Sequence, residues 1–122
     1  MKLEVGQFVR LKSGYICKII NINDFREPNM KYGVEANYLK DVMFIGDDDV
    51  VKASHNIIDI LEIGDIISFY EDIDNYKKQY VIGIPDLITL DEIKDKITND
   101  NIRLVSILTK EQMEQMAYKV EE

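Results

Sequence analysis

Apolar and polar side chains alternate over short runs through most of the chain, which is the period of half-buried strands. Phe8-Val9-Arg10-Leu11, a turn at Lys12-Ser13-Gly14, and Tyr15 to Ile22 read as strand, tight turn and longer strand. Gly14 suits the positive-φ position such a turn needs. Asn23 to Lys31 holds Asn, Asp, Pro and Arg and reads as a loop. Tyr32 to Ala36, Asp41 to Ile45 and Asp49 to Ala53 are further short strands, followed by helical character from Asn56 to Leu61. Later come strands at Ile66 to Tyr70, Gln79 to Ile84 and Ile102 to Ile107, with a helical turn over Leu90 to Lys96. Helical spacing is clearest at the end. Thr109 with Gln112 three residues on has the form of a capping box, and Met113, Met116 and Ala117 then fall where they would pack back on the sheet.

The pattern also repeats. Glu4-Val5-Gly6-Gln7-Phe8-Val9 returns as Glu62-Ile63-Gly64-Asp65-Ile66-Ile67, 58 positions later. Asp48 to Ser54 aligns with Asp100 to Ser106 at an offset of 52, and a six-residue deletion reconciles the two offsets. The expectation is a mainly β protein of two tandem small SH3-like β-barrel repeats packed together, with short helical turns and a short C-terminal helix. Residues 1–61 form the first module and residues 62–122 the second. Three stretches, EVGQFVRLKSGYICKIINI, DVVKASHNIIDILEIGD and VSILTKEQMEQMAYKV, resemble small uncharacterised proteins encoded by phages and prophages of low-GC Gram-positive bacteria. The resemblance implies a phage or prophage accessory protein and brings no functional residue with it.

Charge separates the two halves. The 122 residues carry 15 Lys+Arg and 23 Asp+Glu, a net charge of −8. Residues 1–61 hold 8 basic and 9 acidic side chains, and residues 62–122 hold 7 and 14, so the halves stand at −1 and −7. Such a balance opposes non-specific binding to nucleic acid or anionic membrane. The sequence shows no apolar run long enough to cross a bilayer and no signal-peptide pattern, so a soluble, cytoplasmic protein is expected.

Little catalytic chemistry is on offer. Cys17 and His55 are single, which leaves a disulfide or a zinc site without partners. Cys17 reads as a buried small hydrophobe and His55 as a residue at a strand-to-helix junction. Asp47-Asp48-Asp49 lacks the spacing of a calcium loop, and the glycines are scattered singly rather than gathered in a phosphate loop. No enzyme, cofactor or metal site is expected. What stands out is the mixture of carboxylates with Tyr70, Tyr76 and Tyr80 in the second half, since tyrosine gives contact area at low entropy cost and carboxylates reach Arg and Lys. The expected docking residues are Glu71, Asp72, Asp74, Tyr76, Asp91, Glu92 and Asp95, and the expected partner is a host protein with a basic surface, such as a defence nuclease of the CRISPR-effector kind. Two other readings are compatible with the sequence. In one, Arg10, Arg26 and Arg103 converge on a pocket that sequesters a small anionic nucleotide signal, in a monomer or homodimer. In the other, the protein is a structural or assembly component of the phage particle.

Overall fold

A computed structural model describes residues 2–36, 40–71, 77–82, 91–92, 94–95 and 102–116, with the backbone alone for 71, 77–81 and 102–103. The chain divides into two compact units, Met1–Ile60 and Leu61–Glu122. Among the described residues the strands are β1 (Phe8–Leu11), β2 (Ile16–Ile22), β3 (Tyr32–Glu35), β4 (Met43–Ile45), β5 (Val50–Ser54), β6 (Ile66–Glu71), β7 (Lys77–Val81) and β8 (Ile102–Leu108). One short helix, α1 (Lys110–Met116), follows. The protein is mainly β.

In the first unit the strands form one open antiparallel sheet in the order β4-β3-β2-β1-β5. Alternation along β1 sends Val9 and Leu11 to one face, where they join Leu3, Cys17, Ile19, Tyr32, Val34, Ile45 and Val50 in the core. Arg10 points the other way. It is fully buried there, and its Nη1 donates to the carbonyl of Ile60, at the end of a 3-10 turn over Ile57–Ile60. A second 3-10 turn, Asp47–Asp49, joins β4 to β5. Gly14 has φ +92, as the turn between β1 and β2 demands.

The second unit holds an open antiparallel sheet in the order β7-β6-β8. Ile67 and Phe69 on β6 are fully buried. Leading into β6, Gly64 (φ +99) donates to Ile82 O at 2.9 Å, and Ile82 N donates back to Asp65 O at 2.9 Å. The first unit has the same frame leading into β1. Gly6 (φ +95) donates to Ile19 O at 2.8 Å, and Ile19 N donates to Gln7 O at 2.9 Å. Both glycines hold a left-handed backbone that a side chain would strain by about 1–2 kcal/mol. The outer ladders correspond too. Phe8 pairs with Ser54 and Ile66 with Leu108, and each ladder then shifts register two residues on, after Arg10 and after Ser68.

These pairings correct one expectation. The closing strands match Ser54 with Leu108, a step of 54 rather than 52, while the central strands match Ile19 with Ile82, a step of 63. Both ladders carry the bulge at the same place, so the step of 54 holds on either side of it, and the likeness of Ser54 to Ser106 is one of letters only, since Ser54 stands opposite Phe8 and Ser106 opposite Ser68. A second correction concerns α1. Its capping box forms as expected, with Gln112 N donating to Thr109 Oγ1 at 3.3 Å and Thr109 N to Gln112 Oε1 at 3.0 Å. Met113 is half-buried, but Met116 is exposed rather than packed on the sheet. The helix is anchored by its first turn, where Lys110 N donates to the buried Asp65 and Lys110 Nζ pairs with Glu62, while Met116 in the last turn is 77% exposed. Ala117 lies outside the described residues.

Candidate functional site

The expected docking residues fall into two groups. Asp72, Asp74 and Tyr76 lie outside the described residues, and Glu71 is the last residue of β6, paired in the ladder with Ile102. Asp91, Glu92 and Asp95 are exposed on a helical segment. Positions 91 and 95 are four apart on that segment, so two carboxylates share one face, an arrangement that weakens a helix rather than supporting it. The tyrosines are less gathered than the sequence implied. Tyr70 stands opposite Lys77 in the ladder and Tyr80 opposite Ile67, so positions 70 and 80 belong to opposite faces of the sheet.

Of the three arginines, Arg10 and Arg26 have described side chains, and each is held by its own neighbours. Arg10 is enclosed and its guanidinium is committed to the Ile60 carbonyl. Arg26 lies over the Phe44 ring, 4.6 Å from its centroid, and bonds Asn21 Oδ1. Of Arg103 only the backbone is described, opposite Tyr70 in the ladder. Charged residues are seldom fully buried, and nothing in the sequence marked Arg10 for enclosure. Cys17 is a buried free thiol, and His55 sits exposed with Nε2 2.9 Å from Glu4 Oε2. Among the described residues no cluster of His, Cys, Asp and Glu is placed to hold a metal ion, and no helix is long and apolar enough to cross a membrane.

A depression of about 470 Å³ in the first unit is lined by Lys2, Leu3, Ile22, Asp24, Lys31 and Tyr32. Lys31 Nζ pairs with Asp24 at 3.2 Å, which raises the lysine's pKa. The Tyr32 hydroxyl donates to Asp47 Oδ1 at 2.6 Å. Burial, reinforced by that carboxylate, pushes the Tyr32 phenol above its ordinary value of 10.0. In the unfolded chain the tyrosine loses its proton first. The stabilisation is therefore present below pH 10 and declines as pH rises beyond it. Tyr32→Phe should lose about 1 kcal/mol at neutral pH, the worth of one hydrogen bond, and should show a shallower loss of stability on the alkaline side. Urea midpoints measured across that pH range would show it, and parallel alkaline curves for the two proteins would contradict the assignment.

One surface was missed in the sequence. Phe25 is wholly exposed at 101%, and Met30, Val42 and Phe44 are each about two-fifths exposed, at 42%, 42% and 41%. Arg26 covers part of Phe44, and Val42 and Phe44 both approach Gly33, 3.3 and 3.6 Å from where a Cβ would stand. Signals were present in Phe25-Arg26, an aromatic in an otherwise polar loop, and in the alternation of Val42 and Phe44. Comparison with family models, with curated proteins and with solved structures found no match to this chain.

Proposed function

We propose that the chain is a non-enzymatic accessory protein of a phage or prophage, built of two SH3-like modules, whose acidic second module docks on a basic surface of a host protein and inhibits or modulates it. A defence nuclease of the CRISPR-effector kind, with a groove evolved for nucleic acid, is the partner class such chemistry fits. The SH3-like reading is supported by the sheet order β4-β3-β2-β1-β5 with a 3-10 turn between β4 and β5, and by the matching Gly6 and Gly64 frames. The observation that carries the docking reading is the exposure of Asp91, Glu92 and Asp95 on one helical segment, in the half of the chain that bears −7. Exposed carboxylates steer association over long range and lose that influence as salt rises.

The test is retention of host proteins on the immobilised chain, compared with an Asp91→Asn, Glu92→Gln, Asp95→Asn variant. Each exposed charge is worth up to about 0.5 kcal/mol at such an interface, so the triple variant should bind roughly tenfold more weakly. Equal retention by both proteins, with both folded by circular dichroism, would sink the assignment to this segment.

A further inference from the structure

We propose that the leading arm of the first unit, Lys2 to Gly6, is fastened by a proton-dependent clamp, the ion pair of His55 with Glu4, which tightens when the imidazole is charged and slackens as pH rises. The second unit holds the same clamp in a form that does not respond. In each unit a glutamate stands two residues before the positive-φ glycine, Glu4 before Gly6 and Glu62 before Gly64. In each, a basic side chain just past the closing strand lies over that glycine. His55 follows β5 directly, and Lys110 is the second residue after β8. A Cβ on Gly6 would stand 3.6 Å from His55 Nδ1, and one on Gly64 would stand 3.4 Å from Lys110 Cβ. The ion pairs match in turn. His55 Nε2 is 2.9 Å from Glu4 Oε2, and Lys110 Nζ is 2.8 Å from Glu62 Oε1.

The chemistry of the basic group separates the two. Lysine keeps its charge throughout the neutral range, whereas histidine is the side chain that gains and loses a proton between about pH 5 and 8. A charged imidazole gives Glu4 a charge-assisted contact; a neutral one offers an ordinary hydrogen bond, roughly half as strong. The contact therefore strengthens as pH falls through the neutral range, down to about pH 4, where carboxylates themselves take up protons. Among the described residues Glu4 is the one charged group that His55 touches. Gly6 brings only backbone to the ring, and Asp59, in the 3-10 turn that follows, accepts from Ser54 Oγ at 2.8 Å. The second unit has a further tie, since the buried Asp65 also takes Lys110 N at 3.0 Å. Gln7, at the corresponding position, reaches Glu4 N within its own turn. Holding the arm to the end of β5 thus falls to the ion pair. That arm carries Leu3 into the core and, with Lys2, forms one side of the depression, so the charge on His55 sets how firmly this wall is held.

The experiment is amide hydrogen exchange on the full chain at about pH 5.5 and about pH 8, on either side of the range in which imidazoles titrate, with the intrinsic pH dependence of exchange divided out. Gly6 N–H bonds Ile19 O and Gly64 N–H bonds Ile82 O, so each amide reports on its own arm. His55 is the one histidine in the sequence, so no other imidazole changes charge between the two conditions. Protection at Gly6 should fall about two- to fivefold at the higher pH, which is what an exposed ion pair contributes, while protection at Gly64 holds constant. His55→Lys should keep the stronger protection at both pH values, and Glu4→Gln the weaker. Amides within β1 and β2, followed in the same spectra, show that the variants are folded. Protection at Gly6 that is equal at the two pH values in the wild-type chain, or that falls as far in Glu4→Gln, would overturn the proposal.

Discussion

Gly46→Ala is expected to destabilise the protein by about 3 kcal/mol, the upper end of what overpacking costs. The reason is contact and not conformation. Gly46 has φ −114 and ψ 177, an extended backbone open to any residue. A Cβ there would stand 2.5 Å from the carbonyl oxygen of Pro28 and 2.7 Å from the Cα of Asn29, and both are backbone atoms that cannot rotate away. Nor can Gly46 itself retreat. Its N–H donates to Asp49 Oδ2 at 2.9 Å and its carbonyl accepts from Asp49 N at 3.1 Å, which holds the turn into β5. Gly33→Ala is the control, since its Cβ would meet the side chains of Val42 and Asn21 at 3.3 and 3.4 Å and ask them to yield only slightly. Urea unfolding of the two variants measures the difference. Equal midpoints would mean that the 3-10 turn Pro28–Met30, between β2 and β3, does not close on Gly46.

Asp65→Ala should cost about 2–3 kcal/mol, because it orphans two backbone donors around a buried carboxylate. Asp65 is fully buried and accepts from Glu62 N at 2.8 Å and from Lys110 N at 3.0 Å. One side chain therefore fixes the turn ahead of β6 and the first turn of α1 together. The corresponding position in the first unit is Gln7, whose Oε1 accepts from Glu4 N at 2.8 Å at the exposed surface. Water replaces that acceptor readily, so Gln7→Ala should cost less than about 1 kcal/mol. The contrast separates position from chemistry, since the same offset in the same kind of turn carries different weight according to burial. Denaturant midpoints that shifted equally would show that the Asp65 contacts contribute no more than a surface turn.

Much of this architecture was legible in the sequence because it depends on local rules. Strand alternation located β1 to β5 within a residue or two, Gly14 marked its turn, and Thr109 with Gln112 marked the start of α1. The likeness of Glu4–Val9 to Glu62–Ile67 was legible for a related reason: a positive-φ glycine requires glycine, and that leaves a mark in the letters. Pairing across the ladder leaves none. Like letters drew Ser54 to Ser106, two positions from the Leu108 that the ladder matches to it, and the burial of Arg10 depends on a 3-10 turn some fifty residues away in sequence. The exposure of Val42 and Phe44 was hidden for the opposite reason. Apolar letters in strands read as core, and only tertiary structure shows which of them the core leaves out.

Docking through negative charge is the claim on which the functional account stands, and ionic strength probes it most directly. Proteins retained on the immobilised full chain should come off as salt rises from about 50 to about 500 mM, over which the Debye length falls several-fold, with the loss expressed mainly in slower association. Retention that held constant or strengthened over that span would place the contact on apolar surface instead and contradict the account.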